Sequence, residues 1–330
     1  RDLEQGRITR EKALQYIQAH WKLIADRNTV FHGRVIIGGK GRKNEKAADE
    51  FALLAIEATR TVIEAEPQLS LRFYEGQNPL LLEKAYECIG EGRTYPILYN
   101  DDVNIPAVMD AFGVSEEEAT QYMMFGCGEY VINKKSIGSP NGIINLLKVL
   151  EITLFNGYDI FDGKDMGLKL GALTDFDSFE EFYKAFKRQL TYYIEILACQ
   201  QKLEYDFVGK TGTFLYISLL FYDCLARGKG ILDGGAKYLG GTLETYGNIN
   251  TANSLYAIKD LVYDKKLISP KTLMEALKAN FSGYEKERQL LLQADKYGND
   301  LESVDSLARD LHDFVCNKVK EQKDKVNLHS

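Results

Sequence analysis

The sequence predicts a helix-rich α/β protein, and three observations carry that assignment. Short runs rich in β-branched and aromatic residues alternate with longer stretches of helical periodicity, the pattern of chains with some parallel strand pairing. Only 6 prolines interrupt 330 residues, while 28 glycines supply pliable joints. A composition of 45% hydrophobic and 27% charged residues supports a large buried core. A length near ~150 residues per domain would make about two domains, but single barrels of this size are common. With no fixed-period repeat, linker or low-complexity block, residues 1–330 read as a single region.

The elements follow in order. Ala13, Ile17, Trp21 and Ile24 form an apolar stripe on a helix over 8–26. A strand is expected over Thr29–Ile37. A helix over Glu45–Glu66, with Phe51, Leu54, Ala55, Ala58 and Val62, stops before Pro67. Leu69–Tyr74 reads as a strand, the stretch from Asn78-Pro79 to Gly90 as a helix, and Tyr95–Tyr99 as a strand. Ser115 with Glu118 is a capping-box signature. Asn141-Gly142 opens an apolar segment, Ile143–Phe155, expected to be a helix buried on most sides. Further helices are expected over Ser178–Glu204, Thr213–Arg227, Ser254–Val262, Pro270–Phe281 and Leu301–Glu321, with a strand over Lys237–Leu243. Lys318–Lys325 reads as a solvated helix end.

Composition excludes several classes. The chain has 41 basic and 48 acidic side chains, a formal charge of −7, which argues against a nucleic-acid surface. No apolar run approaches the ~20 residues of a membrane span, and Arg1-Asp2-Leu3-Glu4 is not a signal peptide. A first residue of Arg rather than Met reads as a cut end. Cys88, Cys127, Cys199, Cys224 and Cys316 are spaced too widely for a redox pair, zinc knuckle or cluster-binding run, and read as reduced cytoplasmic thiols. His20, His32, His312 and His329 show no metal spacing. Gly38-Gly39-Lys40-Gly41 lacks the Ser or Thr of a phosphate loop. A dinucleotide fingerprint begun at Gly126-Cys127-Gly128 would need its third glycine at Val131. These, with Gly234-Gly235 and Gly240-Gly241, read as tight turns.

Chemistry concentrates in Met124-Phe125-Gly126-Cys127-Gly128-Glu129-Tyr130. A thiol between two glycines sits on backbone that can turn sharply and admit another segment closely. A carboxylate two residues on can work on the same small substrate if the turn presents both. Alone the pattern is weak, since cysteine is often a small buried hydrophobe.

Context strengthens it. Glu66-Pro67-Gln68-Leu69-Ser70-Leu71-Arg72, Tyr95-Pro96-Ile97-Leu98-Tyr99-Asn100-Asp101, Gly126-Cys127-Gly128-Glu129, Gly234-Gly235-Ala236-Lys237-Tyr238, Asn253-Ser254-Leu255-Tyr256-Ala257-Ile258 and Lys296-Tyr297-Gly298-Asn299-Asp300 occur in this order. In them the chain resembles the glycyl radical enzymes, the pyruvate formate-lyase-like proteins, along nearly its whole length. The resemblance implies a portion of that family's ten-stranded α/β barrel, with Cys127 on a loop projecting into it. It also implies a protein glycine radical with no directly bound cofactor. That radical is installed by an activating enzyme using S-adenosylmethionine and an iron–sulfur cluster. Cys127 would then exchange hydrogen atoms with a small-molecule substrate. Glu129 matches the Gly-Cys-x-Glu pattern of the eliminase branch, where the carboxylate deprotonates a hydroxyl beside the substrate radical. A Glu paired with a lysine such as Lys134 is the plainer alternative.

Two departures matter. Gly128 and Tyr130 stand where better-known eliminases often place Val and Pro, which bears on the substrate. No Arg-Val-x-Gly-Tyr radical motif occurs between Cys127 and Ser330, and Arg34-Val35 precedes the cysteine. The chain therefore reads as the interior of a longer enzyme, without the family's N-terminal helical part or its glycine-radical segment, which in a split enzyme another chain would supply. The full-length protein is expected to be a homodimer. Asn141, 14 residues after Cys127, falls where some dehydratases carry a polar substrate ligand, though Asn before Gly is equally a helix cap. Tyr74 is a second candidate ligand. The expectation is a glycyl radical lyase, a dehydratase or C–N or C–S lyase. The alternatives are an aryl-acetate-type decarboxylase and a catalytically silent half-enzyme or scaffold.

Overall fold

A computed structural model describes residues 2–28, 33–126, 128–212 and 214–329. The chain divides into two compact units, Arg1–Gly138 and Ser139–Ser330.

The first unit is a three-stranded parallel sheet with helices packed on it. Helix α1 (Arg10–Asp26) begins where the Thr9 hydroxyl accepts from the Lys12 amide. Strand β1 (Val35–Gly38) is shorter than expected, and residues 29–32 of that expectation lie outside the described residues. Helix α2 (Glu45–Thr61), capped by Asn44, ends before the expected Glu66 and buries Ala52, Ala55, Ile56 and Ala58. Small alanines let it lie close to α1, where the Trp21 indole donates to the Thr59 hydroxyl at 2.9 Å. Strands β2 (Leu69–Phe73) and β3 (Ile97–Asn100), separated by helix α3 (Leu80–Gly90), complete the sheet in the order β1-β2-β3. Ile37 lies opposite Leu71, and Leu71 opposite Leu98. The central β2 is buried on both faces, as parallel strands covered by helices are. Leu69, Leu71 and Leu81 are completely buried, each stabilising by about 2 kcal/mol over exposure. Helix α4 (Asp101–Phe112), not anticipated, starts at an Asn100 cap and stops at Gly113 in the left-handed region. One turn, α5 (Glu116–Ala119), follows the Ser115 cap; Glu118 itself pairs with Lys135. A hairpin, described below, closes the unit.

The second unit is built around a long helix. Strand β6 (Asn141–Asn145) precedes helix α6 (Leu146–Leu154), so the expected helix from Ile143 is a strand followed by a helix. Asn145, not Asn141, is the cap, accepting from the Lys148 amide. Two two-residue strands, β7 (Tyr158–Asp159) and β8 (Lys164–Asp165), form a small turn unit. Helix α7 (Phe179–Thr211) runs beyond the expected Glu204 and buries Phe182, Phe186, Leu190, Ile194 and Ala198 along one face. The next expected helix is broken into α8 (Leu215–Ser218) and α9 (Tyr222–Arg227). Strand β9 (Gly240–Tyr246), α10 (Asn248–Ile258), α11 (Pro270–Lys278), α12 (Glu285–Gln293), α13 (Glu302–Lys320) and β10 (Asn327–His329) follow. Strand order is β10-β9-β6, all parallel. A Cβ on Gly142 would overlap Leu197, so glycine there lets α7 lie against β6. Buried Gln201 of α7 donates to the carbonyls of Pro140 and Thr242. Among the described residues no helix is long and apolar enough to cross a membrane.

Candidate active site

Strands β4 (Tyr122–Phe125) and β5 (Glu129–Ile132) are antiparallel, with Phe125 directly opposite Glu129. Three residues, 126–128, therefore close the hairpin. Cys127 lies outside the described residues, but both its neighbours are placed. Gly126 has φ +54° and Gly128 φ +143°, conformations that L side chains rarely adopt. The Gly128 amide is shared between the Phe125 carbonyl at 3.0 Å and the Glu129 Oε2 at 2.8 Å. A Cβ on Gly126 would stand 2.9 and 3.0 Å from the two Glu129 oxygens. The half-buried carboxylate is thus folded back over the hairpin tip, and the missing side chain at 126 leaves it room.

A wall of polar and aromatic groups supports the tip. Arg34, just before β1, donates from Nε and Nη2 to the Gly126 carbonyl at 3.1 and 2.9 Å. Its Nη1 reaches the Ser70 hydroxyl at 2.7 Å and Nη2 the Gln68 side chain at 2.8 Å. Tyr99, from β3, feels the charge of Arg34, and its hydroxyl lies 3.3 Å from where a Cβ on Gly128 would be. The Tyr99 and Tyr130 rings meet edge-on with centroids 6.3 Å apart, and Tyr130 lies 5.4 Å from Tyr122. Tyr130 donates to Asn104 at 3.1 Å and Tyr122 to Asp101 at 2.7 Å. Burial raises the pKa of all three phenols, so at neutral pH they are uncharged donors. Asp101 also holds Arg72, whose guanidinium stacks on Tyr122 at 3.8 Å and donates to the Tyr122 carbonyl. The hairpin thereby rests on the carboxyl ends of β2 and β3.

Each of the other two candidates has its own partners. Tyr74, just after β2, takes Lys40 over its ring at 5.5 Å; burial first, then Glu45, pushes its phenol up to about 12. Asn141 opens β6 in the second unit, exposed, with its amide donating to Glu244 at 3.3 Å. The Lys40 amide donates to Asp101, and its ammonium pairs with Asp102, so the glycine-rich loop after β1 is tied to the start of α4. Among the described residues no group of three or more His, Cys, Asp or Glu side chains could hold a metal ion.

Arg34 and Tyr99 were not singled out from sequence. Tyr99 lies inside one of the stretches quoted above, but nothing local marks Arg34. Its partner is 92 residues away.

Comparison with known proteins bears on this site. The family described as pyruvate formate lyase-like matches residues 1–328. The (2S)-3-sulfopropanediol dehydratase of Klebsiella oxytoca is 28% identical over 98% of this chain and 41% of its own length. An isethionate sulfite-lyase of Oleidesulfovibrio alaskensis is 28% identical over 100% of this chain and 42% of its own. Among solved structures, the glycerol-bound glycerol dehydratase of Clostridium butyricum superposes with a TM-score of 0.87 at 30% identity. That match covers 95% of this chain and 41% of the other. The chain thus spans about two fifths of the length of the relatives it matches. The expected fold class holds: helix-rich α/β with parallel sheets, part of the barrel of the glycyl radical enzymes.

Proposed function

The chain belongs to the pyruvate formate lyase-like family, and on that footing we propose that it carries the thiol and carboxylate of a glycyl radical lyase. The reaction is a 1,2-elimination on a small hydroxylated substrate. The observation that carries this reading is the fold of Glu129 over the hairpin tip, 2.8 Å from the Gly128 amide, on the loop to which Cys127 belongs. Relatives named as dehydratases and as a sulfite-lyase support elimination with either water or sulfite as the leaving group.

A backbone glycine radical, installed by an activating enzyme that uses S-adenosylmethionine and an iron–sulfur cluster, supplies the unpaired electron that makes Cys127 a thiyl. The two positive-φ glycines put no side chain on either neighbour of Cys127, which supports close approach of a glycine-bearing segment. The Cys127 sulfur takes a hydrogen atom from the carbon bearing the substrate hydroxyl, forming S–H and a carbon radical. Glu129 takes the hydroxyl proton. The adjacent carbon–leaving-group bond then breaks, with its electron pair departing on the leaving group; where that group is hydroxide, the proton on Glu129 completes water. The product radical recovers its hydrogen from Cys127. Exclusion of water protects these intermediates. Asn141 is proposed as a polar substrate ligand. Tyr74, held by Lys40 and Glu45, would have to exchange those partners for substrate. Residues 1–330 are taken as one incomplete barrel region, and the activating enzyme and homodimeric assembly belong to the same proposal.

The test uses the full-length enzyme containing this chain, activated and screened against diols, amino-alcohols, hydroxyproline and hydroxysulfonates. Turnover of one class is expected, with Cys127→Ala abolishing product while the glycine radical signal persists in electron paramagnetic resonance. Turnover by that variant would end the proposal, and absence of product from every class would favour a silent scaffold.

A further inference from the structure

We propose that Arg34 is a positioning residue for the loop that carries Cys127: its guanidinium fixes the carbonyl of the Gly126–Cys127 peptide and so the direction in which the thiol leaves the backbone. This builds on the reading of Cys127 as the hydrogen-transfer residue. The Gly126 carbonyl belongs to the peptide unit that ends at the Cys127 nitrogen, so whatever holds that oxygen sets the start of the cysteine. Two charged N–H groups converge on it, at 3.1 Å from Nε and 2.9 Å from Nη2. Charge-assisted bonds of this kind are stronger than neutral ones.

The restraint is needed because of the residue it acts on. Glycine at 126, with φ +54°, has no side chain to bias its backbone and can rotate its following peptide between several wells. Within the hairpin, the Gly128 amide restrains the opposite side of the tip. The anchor of Arg34 is rigid. Ser70, in the central strand β2, is completely buried, and Gln68, just before that strand, nearly so. A catalytic loop tied to a central strand is held better than one tied to another loop.

Counting donors separates this role from substrate binding. A guanidinium has five N–H groups. Four are directed at Gly126, Gly126, Gln68 and Ser70. At least four of the five are therefore already engaged by the protein itself. Arg34 therefore acts through the backbone beside Cys127.

The experiment has two readouts. In the full-length enzyme containing this chain, before activation, iodoacetamide labelling followed by mass spectrometry measures the alkylation rate of Cys127 against the buried Cys88 as internal reference. In the activated full-length enzyme, kcat and KM are measured separately. Arg34→Met is expected to speed Cys127 alkylation severalfold at unchanged Cys88 labelling. It should also lower kcat by up to about a hundredfold, the cost of a misplaced reacting group, with KM nearly constant. Arg34→Lys keeps the charge but not the fork, so it should resemble Arg34→Met. Unchanged alkylation and kcat in Arg34→Met, or restoration of both by lysine, would overturn the proposal. Should Arg34→Met fail to fold, Gln68→Leu loosens the anchor without touching the loop. It must shift both readouts in the same direction, and a folded Gln68→Leu with wild-type values overturns the proposal equally. Turnover by Cys127→Ala would instead refute the assignment of Cys127, while the alkylation arm still decides whether Arg34 fixes the loop.

Discussion

Arg72 and Asp101 form a two-pronged ion pair with no solvent contact, Nε to Oδ1 at 2.8 Å and Nη2 to Oδ2 at 2.9 Å. The carboxylate also accepts from the Tyr122 hydroxyl and the Lys40 amide, so one side chain joins β2, β4, the loop after β1 and the start of α4. Removing one partner of such a pair strands the other's charge. Asp101→Asn is therefore expected to destabilise the chain by roughly 3–5 kcal/mol in urea unfolding. A loss below about 1 kcal/mol would show that Arg72 finds compensation in the carbonyls of Thr120 and Tyr122.

Gly126→Ala combines two costs. The left-handed conformation is expected to cost about 1–2 kcal/mol for any other residue, and the new methyl meets the Glu129 carboxylate. Gly113→Ala, at φ +65° with open space around it, carries the first cost alone. Thermal melts should rank Gly126→Ala below Gly113→Ala, and only the former should lower product formation by the activated enzyme.

Glu129→Gln keeps the size and the hydrogen bond from the Gly128 amide but loses the base. Elimination is expected to fall by about a hundredfold or more, with the melting temperature little changed because the side chain is only half-buried. Near-normal product formation would remove Glu129 from the role of base.

Asp159 reports acid stability in the second unit. The Lys148 ammonium at 2.7 Å lowers its pKa, burial opposes, and the amides of Asp162 and Phe161 reinforce the lowering. With the folded pKa depressed, the unfolded chain takes up the proton first. The contribution is thus complete above about pH 4 and is lost as pH falls further. Urea unfolding between pH 5 and pH 3, an interval spanning about one unit either side of the free carboxyl, should show a steeper loss for wild type than for Asp159→Asn. Parallel curves would contradict the assignment.

Local signals gave much of this fold. Thr9, Asn44 and Ser178 cap α1, α2 and α7 with the side-chain hydrogen bonds that their residue types predict. The short apolar run after Asn141 misleads because strand and helix are hard to separate over a few residues. Its alternating burial, with Ile143 exposed and Ile144 buried, is the period of a strand. Helix α4 escaped because Pro106 sits inside it. The stretch 213–227, whose first residue lies outside the described residues, reads as one helix, yet Leu215, Tyr216, Leu219 and Leu220 are exposed. The proposed partnership of Cys127 with Glu129 is visible in sequence as a spacing of two. The guanidinium that holds their turn is not, because that contact exists only after β1 and the hairpin have come together.

Phe125 facing Glu129 across the β4–β5 ladder fixes the span of the tip at three residues. One added or deleted residue there would slide the pairing or bulge it, and in a pleated ladder a slip of one turns a side chain to the opposite face. Variation on this hairpin is therefore confined to exchanging side chains at constant length, which keeps the spacing of two between positions 127 and 129.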